Sequence, residues 1–270
     1  MRMCALIVAV LLVSGASSVQ ARDFDLLALD GSNGLLRFNS ARPGDVTTTK
    51  ISGVDRHPRR PRSIVPRMVL VYALSDANDV YTIERAVGGG DARSVRSPSS
   101  FDGGPRSGVD FNPQADRLRL VAASGQNLRV HVDLGATAAD GALRYAADDP
   151  NAGKRPAIAA AAYTNAVANA ATTKLFDIDS DLDVLALQDP PNDGVLRTVG
   201  PLGADFGARA GFDIVSAGGV DRAFAVVGRR PLRHRSRDRG GALRSARSVR
   251  HRAPISSGSP SCRRRMAIIR

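Results

Sequence analysis

Two segments that resemble each other decide the fold: Leu27-Ala-Leu-Asp-Gly-Ser-Asn-Gly-Leu-Leu-Arg-Phe38 and Tyr72-Ala-Leu-Ser-Asp-Ala-Asn-Asp-Val-Tyr-Thr-Ile83. They align without a gap at a spacing of 45 residues, so that Asn33 coincides with Asn78. Each segment is an apolar stretch, a polar turn and a second alternating stretch, which is the pattern of a β-hairpin. Asparagine, aspartate and glycine in the turn tolerate the positive φ that a tight connection needs. The pattern predicts one hairpin in each segment.

The same hairpin pattern recurs three more times along the chain. The first strands of these copies begin at Leu118, Lys174 and Ala223. A Gly-x-Asp element, at residues 108–111 and again at 211–214, precedes the third and the fifth hairpin. Three or four short strands in roughly every 45 to 55 residues favour an all-β, β-propeller-like fold of about five to six blades of antiparallel strands. An all-β sandwich is the main alternative, but it offers no reason for the longer period.

Residues 1–21 have the features of a secretory signal peptide. Arg2 precedes an apolar run of about ten residues from Cys4 to Val13, and small residues end the segment at Ala21. The run is too short to span a bilayer, which needs roughly 20 apolar residues. We therefore expect cleavage after Ala21, a secreted or periplasmic location and no membrane span. Cleavage would leave Cys262 as the only cysteine, so no intramolecular disulfide is expected.

The positive charge is concentrated in two segments. The 270 residues include 38 Lys and Arg against 26 Asp and Glu, and the net charge is +12. Residues 229–270 contribute +13 and residues 54–67 contribute +4, which leaves the remaining chain with a net charge of −5. A mildly acidic body excludes an evenly basic domain that binds nucleic acid.

The two arginine-rich segments also interrupt the repeat. Prolines in residues 54–67 remove N–H donors where the second repeat needs a Gly-x-Asp strand, and residues 229–270 stand where the fifth hairpin should continue. We interpret both segments as out-of-frame translation, the first as a disordered insert and the second as a disordered tail. The propeller-like domain of residues 22–228 is then incomplete at its C-terminus. The alternative is a genuine polybasic tail, but it has no aromatic residue for base stacking, so no nucleic acid partner is expected.

The strongest metal candidate is an acidic run with four carboxylates at alternate positions: Asp177, Asp179, Asp181 and Asp183. A calcium-binding loop has glycine at its sixth position and glutamate at its twelfth. This run has Leu182 and Gln188 at those positions. Acids of this kind commonly form the solvated face of a hairpin, so no metal site is predicted.

No catalytic constellation is visible in the sequence. The mildly acidic body contains one histidine, His131, and no nucleophile motif accompanies it. We expect Asp110 and Asp213 of the Gly-x-Asp elements to accept backbone N–H groups, with a ligand role as the alternative. No catalytic or cofactor-binding residue is therefore predicted, and no cofactor is expected.

An ordered series of short motifs is similar to a known family: Gly108-Val-Asp-Phe-Asn-Pro113, Asp116-Arg-Leu-Arg119, Ser124-Gly-Gln-Asn-Leu-Arg-Val130, Asp140-Gly-Ala-Leu143, Ala162-Tyr-Thr-Asn165, Leu175-Phe-Asp-Ile-Asp179, Gln188-Asp-Pro-Pro-Asn192 and Gly211-Phe-Asp-Ile214. The chain resembles a secreted bacterial family defined only by a domain of unknown function, over about residues 24–53, 69–92 and 107–228. The resemblance implies a propeller-like exported protein with no established activity, so no catalytic residue is carried over. The two arginine-rich segments depart from the family pattern.

These observations predict a non-enzymatic, exported module that binds an extracellular or periplasmic ligand or partner through its loops. A calcium-assisted propeller hydrolase and a basic-tail binder of anionic surfaces are the alternatives. Several carboxylates that converge on one ion-sized site favour the hydrolase, whereas carboxylates scattered outward favour the binding module. We expect the protein to be a monomer.

Overall fold

The computed structural model describes residues 3–6, 23–30, 32–54, 71–75, 77–86, 89–96, 100–104, 106–227 and 265–269. Nineteen β-strands and one 3-10 helix, Pro191–Asp193, make up the regular structure of these residues, and none of them lies in an α-helix. The all-β prediction is therefore confirmed. Across the same ranges, no helix has the length and apolar character needed to cross a membrane.

The first two repeats form one seven-stranded sheet. β1 (Met3–Leu6) precedes both repeats, and the first repeat contains β2 (Asp25–Leu29), β3 (Gly34–Asn39) and β4 (Arg42–Ser52). The second repeat contains β5 (Val71–Ser75), β6 (Val80–Ala86) and β7 (Gly89–Arg96). Neighbouring strands within each repeat are antiparallel, and a short parallel pairing of β4 with β7 joins the two repeats.

The turn chemistry predicted from the sequence is present in both hairpins. Asn33 and Asn78 adopt positive φ angles of 62° and 66°. Each donates its backbone N–H to the carbonyl three positions earlier, on Asp30 and Ser75, over 3.3 and 3.0 Å. Asparagine accepts this left-handed conformation because its short polar side chain can form local hydrogen bonds. The equivalence of the two turns confirms the hairpin predicted for each segment.

Each later repeat forms a sheet of its own. The third-repeat sheet contains β8 (Ser107–Asn112), β9 (Arg117–Ala122), β10 (Asn127–Val130) and β11 (Thr137–Ala139). The fourth-repeat sheet contains β12 (Arg144–Tyr145), β13 (Ile158–Tyr163), β14 (Leu175–Asp179), β15 (Val184–Gln188) and β16 (Val195–Pro201). The fifth-repeat sheet contains β17 (Ala210–Ala217), β18 (Val220–Val227) and β19 (Arg265–Ile269). The strand pairs are antiparallel except for β12 with β16.

Strand β13 connects the packing of three sheets. All six of its residues are buried, and it lies against both β8 and β17. Gly108 permits the approach of β8, because a Cβ atom at this position would lie 2.6 Å from the Cβ atom of Ala161. Burial of a large apolar side chain contributes about 1.5–3 kcal/mol. A cluster of buried apolar side chains joins the second and third repeats; it includes Leu74, Val80, Leu118, Leu120 and Val130.

The structure describes short parts of the two segments that were expected to lie outside the domain. Met3–Leu6, within the predicted signal peptide, is β1 and pairs antiparallel with β5. Arg265–Ile269, within the predicted tail 229–270, is β19 and pairs antiparallel with β18. These five residues form a strand within the segment predicted to be a disordered tail, and the rest of residues 229–270 lies outside the described residues. An edge strand presents unpaired N–H and C=O groups, and the apolar sequence from Met266 to Ile269 has the composition to pair with them.

Only Val54 of the predicted insert 54–67 belongs to the described residues, and residues 55–67 lie outside them. Val54 is buried, and its carbonyl accepts a 2.5 Å hydrogen bond from the Tyr81 hydroxyl. This residue therefore belongs to the folded part of the first two repeats.

Candidate functional site

Asp110 and Asp213 occupy equivalent places in two different repeats. Each is the fourth residue of its strand, β8 or β17, and each follows a buried glycine, Gly108 or Gly211, by two positions. Both strands lie against β13. The repeated Gly-x-Asp element therefore brings two carboxylates to two strands that pack against the same third strand, β13.

Backbone N–H groups hold these two carboxylates in place. Asp110 accepts hydrogen bonds from the N–H groups of Tyr163 at 2.6 Å and Phe111 at 2.7 Å. Asp213 accepts one from the N–H of Ile214 at 2.7 Å. The prediction that the Gly-x-Asp aspartates accept backbone N–H groups is thus confirmed.

The two carboxylates interact electrostatically. Burial raises the pKa of Asp110 from 3.8 to about 7, although the N–H groups of Tyr163 and Phe111 oppose this shift. Burial also raises the pKa of Asp213 well above its usual value, and the negative charge of Asp110 raises it further. Two carboxylates in one partly desolvated region do not readily ionise together. The pair can therefore hold a proton near neutral pH, and it releases that proton to solvent when a positive charge binds beside it.

Both carboxylates line one cleft of about 580 Å³. The C-terminal end of β8, the middle of β17 and the loop of residues 166–169 form its walls. Its polar lining consists of Asp110, Asn112, Asp116, Asn169, Asp213 and Ser216. Apolar side chains such as Val167, Ile214 and Val215 complete it, and the described lining contains no Lys, Arg or His. The cleft is therefore acidic on one part of its surface and apolar on the other.

The acidic run at residues 177–183 does not form a calcium loop. Asp177 and Asp179 are fully buried, whereas Asp181 is exposed and forms a 3.0 Å ion pair with the less exposed Arg106. Asp183 accepts the backbone N–H of Phe206 at 2.8 Å. Within the ranges that the structure describes, no three His, Cys, Asp or Glu side chains form a group able to hold a metal ion.

His131 follows β10 at the outer part of the third-repeat sheet. Its backbone N–H donates to the carbonyl of Ala136 at 2.8 Å, and its own carbonyl accepts the N–H of Gly135. It does not line the cleft that contains Asp110 and Asp213.

A buried polar cluster, which sequence reasoning did not single out, lies between the third- and fourth-repeat sheets. Arg119 on β9 is 1% exposed. Its guanidinium donates to the Tyr163 hydroxyl, to the side-chain carbonyls of Asn127 and Asn192, and to the Asp140 carboxylate over 2.5–3.1 Å. We call Arg119, Asn127, Asp140, Tyr163 and Asn192 the Arg119 cluster. All five residues lie in the motifs that carry the family resemblance. Their place in those motifs is the feature of the sequence that could have identified them.

Asp177 and Gln188 are buried beside the Arg119 cluster and have incomplete hydrogen bonding. Asp177 is 0% exposed, and neither carboxylate oxygen has a hydrogen-bond partner among the described residues. Gln188 donates its amide N–H to the carbonyl of Pro191 at 2.6 Å, but its buried Oε1 atom has no donor. Burial raises the pKa of Asp177 to about 8, an effect that Arg119 opposes and that the charge of Asp179 reinforces.

Asp179, on the same strand, has a contrasting environment. Its carboxylate accepts the Tyr145 hydroxyl at 2.9 Å and the N–H groups of Ala157, Asp181 and Leu182 at 3.0–3.2 Å. Burial, followed by the charge of Asp179, raises the pKa of Tyr145, which therefore remains a proton donor. Asp179 is a satisfied structural anion.

The fold and the cleft define an all-β protein of repeated antiparallel sheets, with a carboxylate pair contributed by its Gly-x-Asp strands. The family described as Domain of unknown function (DUF4394) matches residues 34–236. This match covers about three quarters of the chain, and the protein belongs to that family. The resemblance to a family defined by a domain of unknown function is thereby confirmed. No curated protein matches the chain.

Proposed function

We propose that this protein is an exported, non-enzymatic binding module with a β-propeller-like arrangement of about five to six blades. Each repeat supplies several antiparallel strands, and β8, β13 and β17 of three successive sheets lie next to one another. The inner strands of neighbouring propeller blades meet in this way around a central axis. The short apolar run after Arg2 supports export.

The observation that carries the binding function is the placement of Asp110 and Asp213 in one cleft. The two residues are 103 positions apart in the chain, yet their strands both lie against β13 and their side chains line the same volume. Partly buried carboxylates whose charges repel each other are costly to ionise. A bound group that lowers this cost gains affinity, so the cleft is the part of the molecule best suited to hold a ligand.

The lining favours a small organic cation as the ligand. A positive ammonium or guanidinium group near Asp110 and Asp213 offsets the repulsion between them. The apolar side chains of Val167 and Ile214 can contact the carbon skeleton of the ligand. Ser216 donates its hydroxyl to Asp221, and its oxygen can accept a hydrogen bond from the ligand. A cleft with a few polar groups and an apolar remainder is the usual composition of a small-molecule site.

Titration calorimetry with choline, putrescine and arginine amide tests this proposal. We expect saturable binding of at least one cation by the wild type, and at least about tenfold weaker binding by Asp213→Asn. Asp148→Asn is the matched control, because Asp148 is an exposed carboxylate paired with Arg197. The proposal fails if none of the three cations binds, or if Asp213→Asn binds them as tightly as Asp148→Asn does.

The two alternative functions have no comparable support. A calcium-assisted hydrolase needs several carboxylates around one ion, and the described residues contain no group of three candidate ligands. Binding through the basic tail depends on residues 229–270, of which only Arg265–Ile269 is described.

Export has a direct test. When the full chain is expressed with its leader in a Gram-negative host, N-terminal sequencing of the periplasmic product should begin at Arg22. A product that stays in the cytoplasm contradicts the proposed export signal. An exported product that still carries residues 1–21 also contradicts it.

We also infer that residues 55–67 and 229–270 are translated out of frame. In the third repeat, the Gly-x-Asp strand β8 pairs with β9, the first strand of the hairpin. The second repeat lacks its own Gly-x-Asp strand, and β1 pairs with β5 in the equivalent place. In the other two reading frames, the coding DNA should therefore encode a Gly-x-Asp strand before Leu70 and a hairpin strand after Val227. If neither strand is encoded in either of these frames, the inference is refuted.

A further inference from the structure

The region beside the Arg119 cluster contains three buried acceptor atoms that no donor of the described residues reaches: the two carboxylate oxygens of Asp177 and Oε1 of Gln188. Both side chains are at most 1% exposed. The Gln188 amide orientation is determined by its 2.6 Å bond to the Pro191 carbonyl, so Oε1 is the atom left over. Buried polar atoms are almost always satisfied, and an unsatisfied group points to a bound water or ion.

The strand register brings these acceptors to one face of the fourth-repeat sheet. Asp177 pairs with Ala186, and Leu175 pairs with Gln188, so Asp177 and Gln188 are diagonal neighbours on the same face. The Cβ atoms of such neighbours are about 7 Å apart, which is within the combined reach of an aspartate and a glutamine side chain. Tyr163 pairs with Leu175, so its side chain lies on the same face of the sheet. Its hydroxyl accepts a hydrogen bond from Arg119.

The charges around this site leave one negative charge without a counterion. Above the pKa of about 8 that Asp177 reaches, the ionised groups are Arg119 and Arg129 on the third-repeat side, and Asp140, Asp177 and Asp179. Asp140 takes hydrogen bonds from both guanidinium groups, and Asp179 accepts four hydrogen bonds. Two positive charges therefore face three negative charges, and the carboxylate without hydrogen bonds is Asp177.

Arg119 does not satisfy Asp177 directly. Its donors are directed to Tyr163, Asn127, Asp140 and Asn192, and none of its hydrogen bonds reaches Asp177. A buried charge of this kind is normally paired or coordinated to a metal ion. Hard cations prefer oxygen ligands, and all three free atoms are oxygens.

We propose that the interior between the third- and fourth-repeat sheets binds one monovalent metal cation, Na⁺ or K⁺, between the Asp177 carboxylate and Gln188 Oε1. A single positive charge balances the cluster, whereas a divalent ion would overcompensate it. The site is independent of the acidic cleft, since neither Asp177 nor Gln188 lines that cleft. The bound ion joins strands β14 and β15 to the polar interface with β9, so it stabilises the contact between two sheets.

Replacing the cation in the buffer provides the test. The thermal unfolding midpoint of the full chain is measured in sodium, potassium and choline chloride at equal ionic strength, one pH unit above the value of about 8 that Asp177 reaches. Choline is too large for a closed interior site, and because the acidic cleft could bind it, the same series is repeated with Asp213→Asn. In both proteins we expect the midpoint in Na⁺ or K⁺ to exceed that in choline by about 5–10 °C when the ion is at 100 times its Kd.

Three variants localise the effect. Asp177→Asn should lose the difference between the three salts, and Gln188→Met should reduce it. Asp181→Asn, four residues from Asp177 and exposed, should keep it in full. Gln188→Glu adds a second carboxylate and should shift the preference towards Ca²⁺.

Wild-type protein alone suffices to overturn the proposal, so it does not depend on the folding of any variant. Equal midpoints in all three salts mean that a proton or water, and not a metal ion, satisfies Asp177. In a crystal soaked in thallium(I), an anomalous peak between Asp177 and Gln188 supports the site, and its absence contradicts it. Unchanged salt dependence in folded Asp177→Asn also contradicts it.

Discussion

Replacement of Arg119 by methionine tests whether the Arg119 cluster holds the third- and fourth-repeat sheets together. Methionine keeps much of the apolar length of the arginine side chain but removes the guanidinium group. The change leaves Asp140 with the half-exposed Arg129 as its remaining cation, and it removes the donor from the side-chain carbonyls of Asn127 and Asn192. The side-chain carbonyls of Asn127 and Asn192 then lose the donor that they share in the wild type.

The expected loss is about 3–5 kcal/mol of the free energy of unfolding, which is the usual cost of removing one partner from a buried ion pair. Each acceptor left buried and unpaired costs about 1–3 kcal/mol when taken separately. These costs overlap, because Arg129 and water can move towards Asp140, so we use the ion-pair figure for the whole cluster. For a folded body of about 200 residues, this corresponds to a fall of about 6–20 °C in the unfolding midpoint.

Urea unfolding followed by far-ultraviolet circular dichroism measures this loss. Arg117→Met is the matched control. Arg117 lies two residues away on β9, and among the described residues its guanidinium donates to the exposed backbone carbonyls of Ala115 and Asp116. We expect the control to lose less than about 0.5 kcal/mol. If Arg119→Met is within about 1 kcal/mol of Arg117→Met, the Arg119 cluster does not stabilise the contact between the sheets.

Two further predictions concern the strands that carry the Gly-x-Asp elements. The pKa of Asp110 is 3.8 when unperturbed and about 7 in the fold, so the folded state binds more protons in this window. The thermal midpoint should therefore fall as pH rises from about 4 to 7, and Asp213→Asn should flatten this profile; identical profiles for both proteins contradict the coupling. Gly108→Ala should destabilise by about 1–3 kcal/mol in urea unfolding, because its Cβ meets Ala161 at 2.6 Å. Gly200→Ala, where a Cβ meets open space, should change stability by less than about 0.5 kcal/mol, and equal effects of the two substitutions would show that β8 and β13 can move apart.

The hairpins could be predicted from the sequence because their information is local. The turn at Asn33 or Asn78 depends on the φ preference of asparagine and on a hydrogen bond that spans three residues. Strand alternation on either side is equally local. The predicted disordered tail was a different case, because the pairing of Arg265–Ile269 with β18 joins segments 38 or more residues apart. No local pattern in the arginine-rich sequence indicates such a pairing.

The sites divide in the same way. Spacing alone identified Asp110 and Asp213 as equivalent, and their role as acceptors of backbone N–H groups follows from the short side chain of aspartate. Their meeting in one cleft could not be predicted, because it depends on both strands lying against β13. Likewise, the four acids at residues 177–183 look equivalent in the sequence. In the structure, Asp177 is buried without a hydrogen-bond partner among the described residues, whereas Asp181 is exposed to solvent and forms an ion pair with Arg106.

Arg119 shows most clearly what belongs to each level. In the sequence Leu118-Arg119-Leu120, alternation determines that the arginine faces opposite to its apolar neighbours, and this is true of the structure. Alternation does not determine whether that face meets water. The tertiary structure decides it, since Asp140 and Asn192 come from 21 and 73 residues away to bind the guanidinium. Local sequence determines backbone direction and turn conformation, whereas the free energy of a charge depends on solvent exclusion and on groups brought from distant segments.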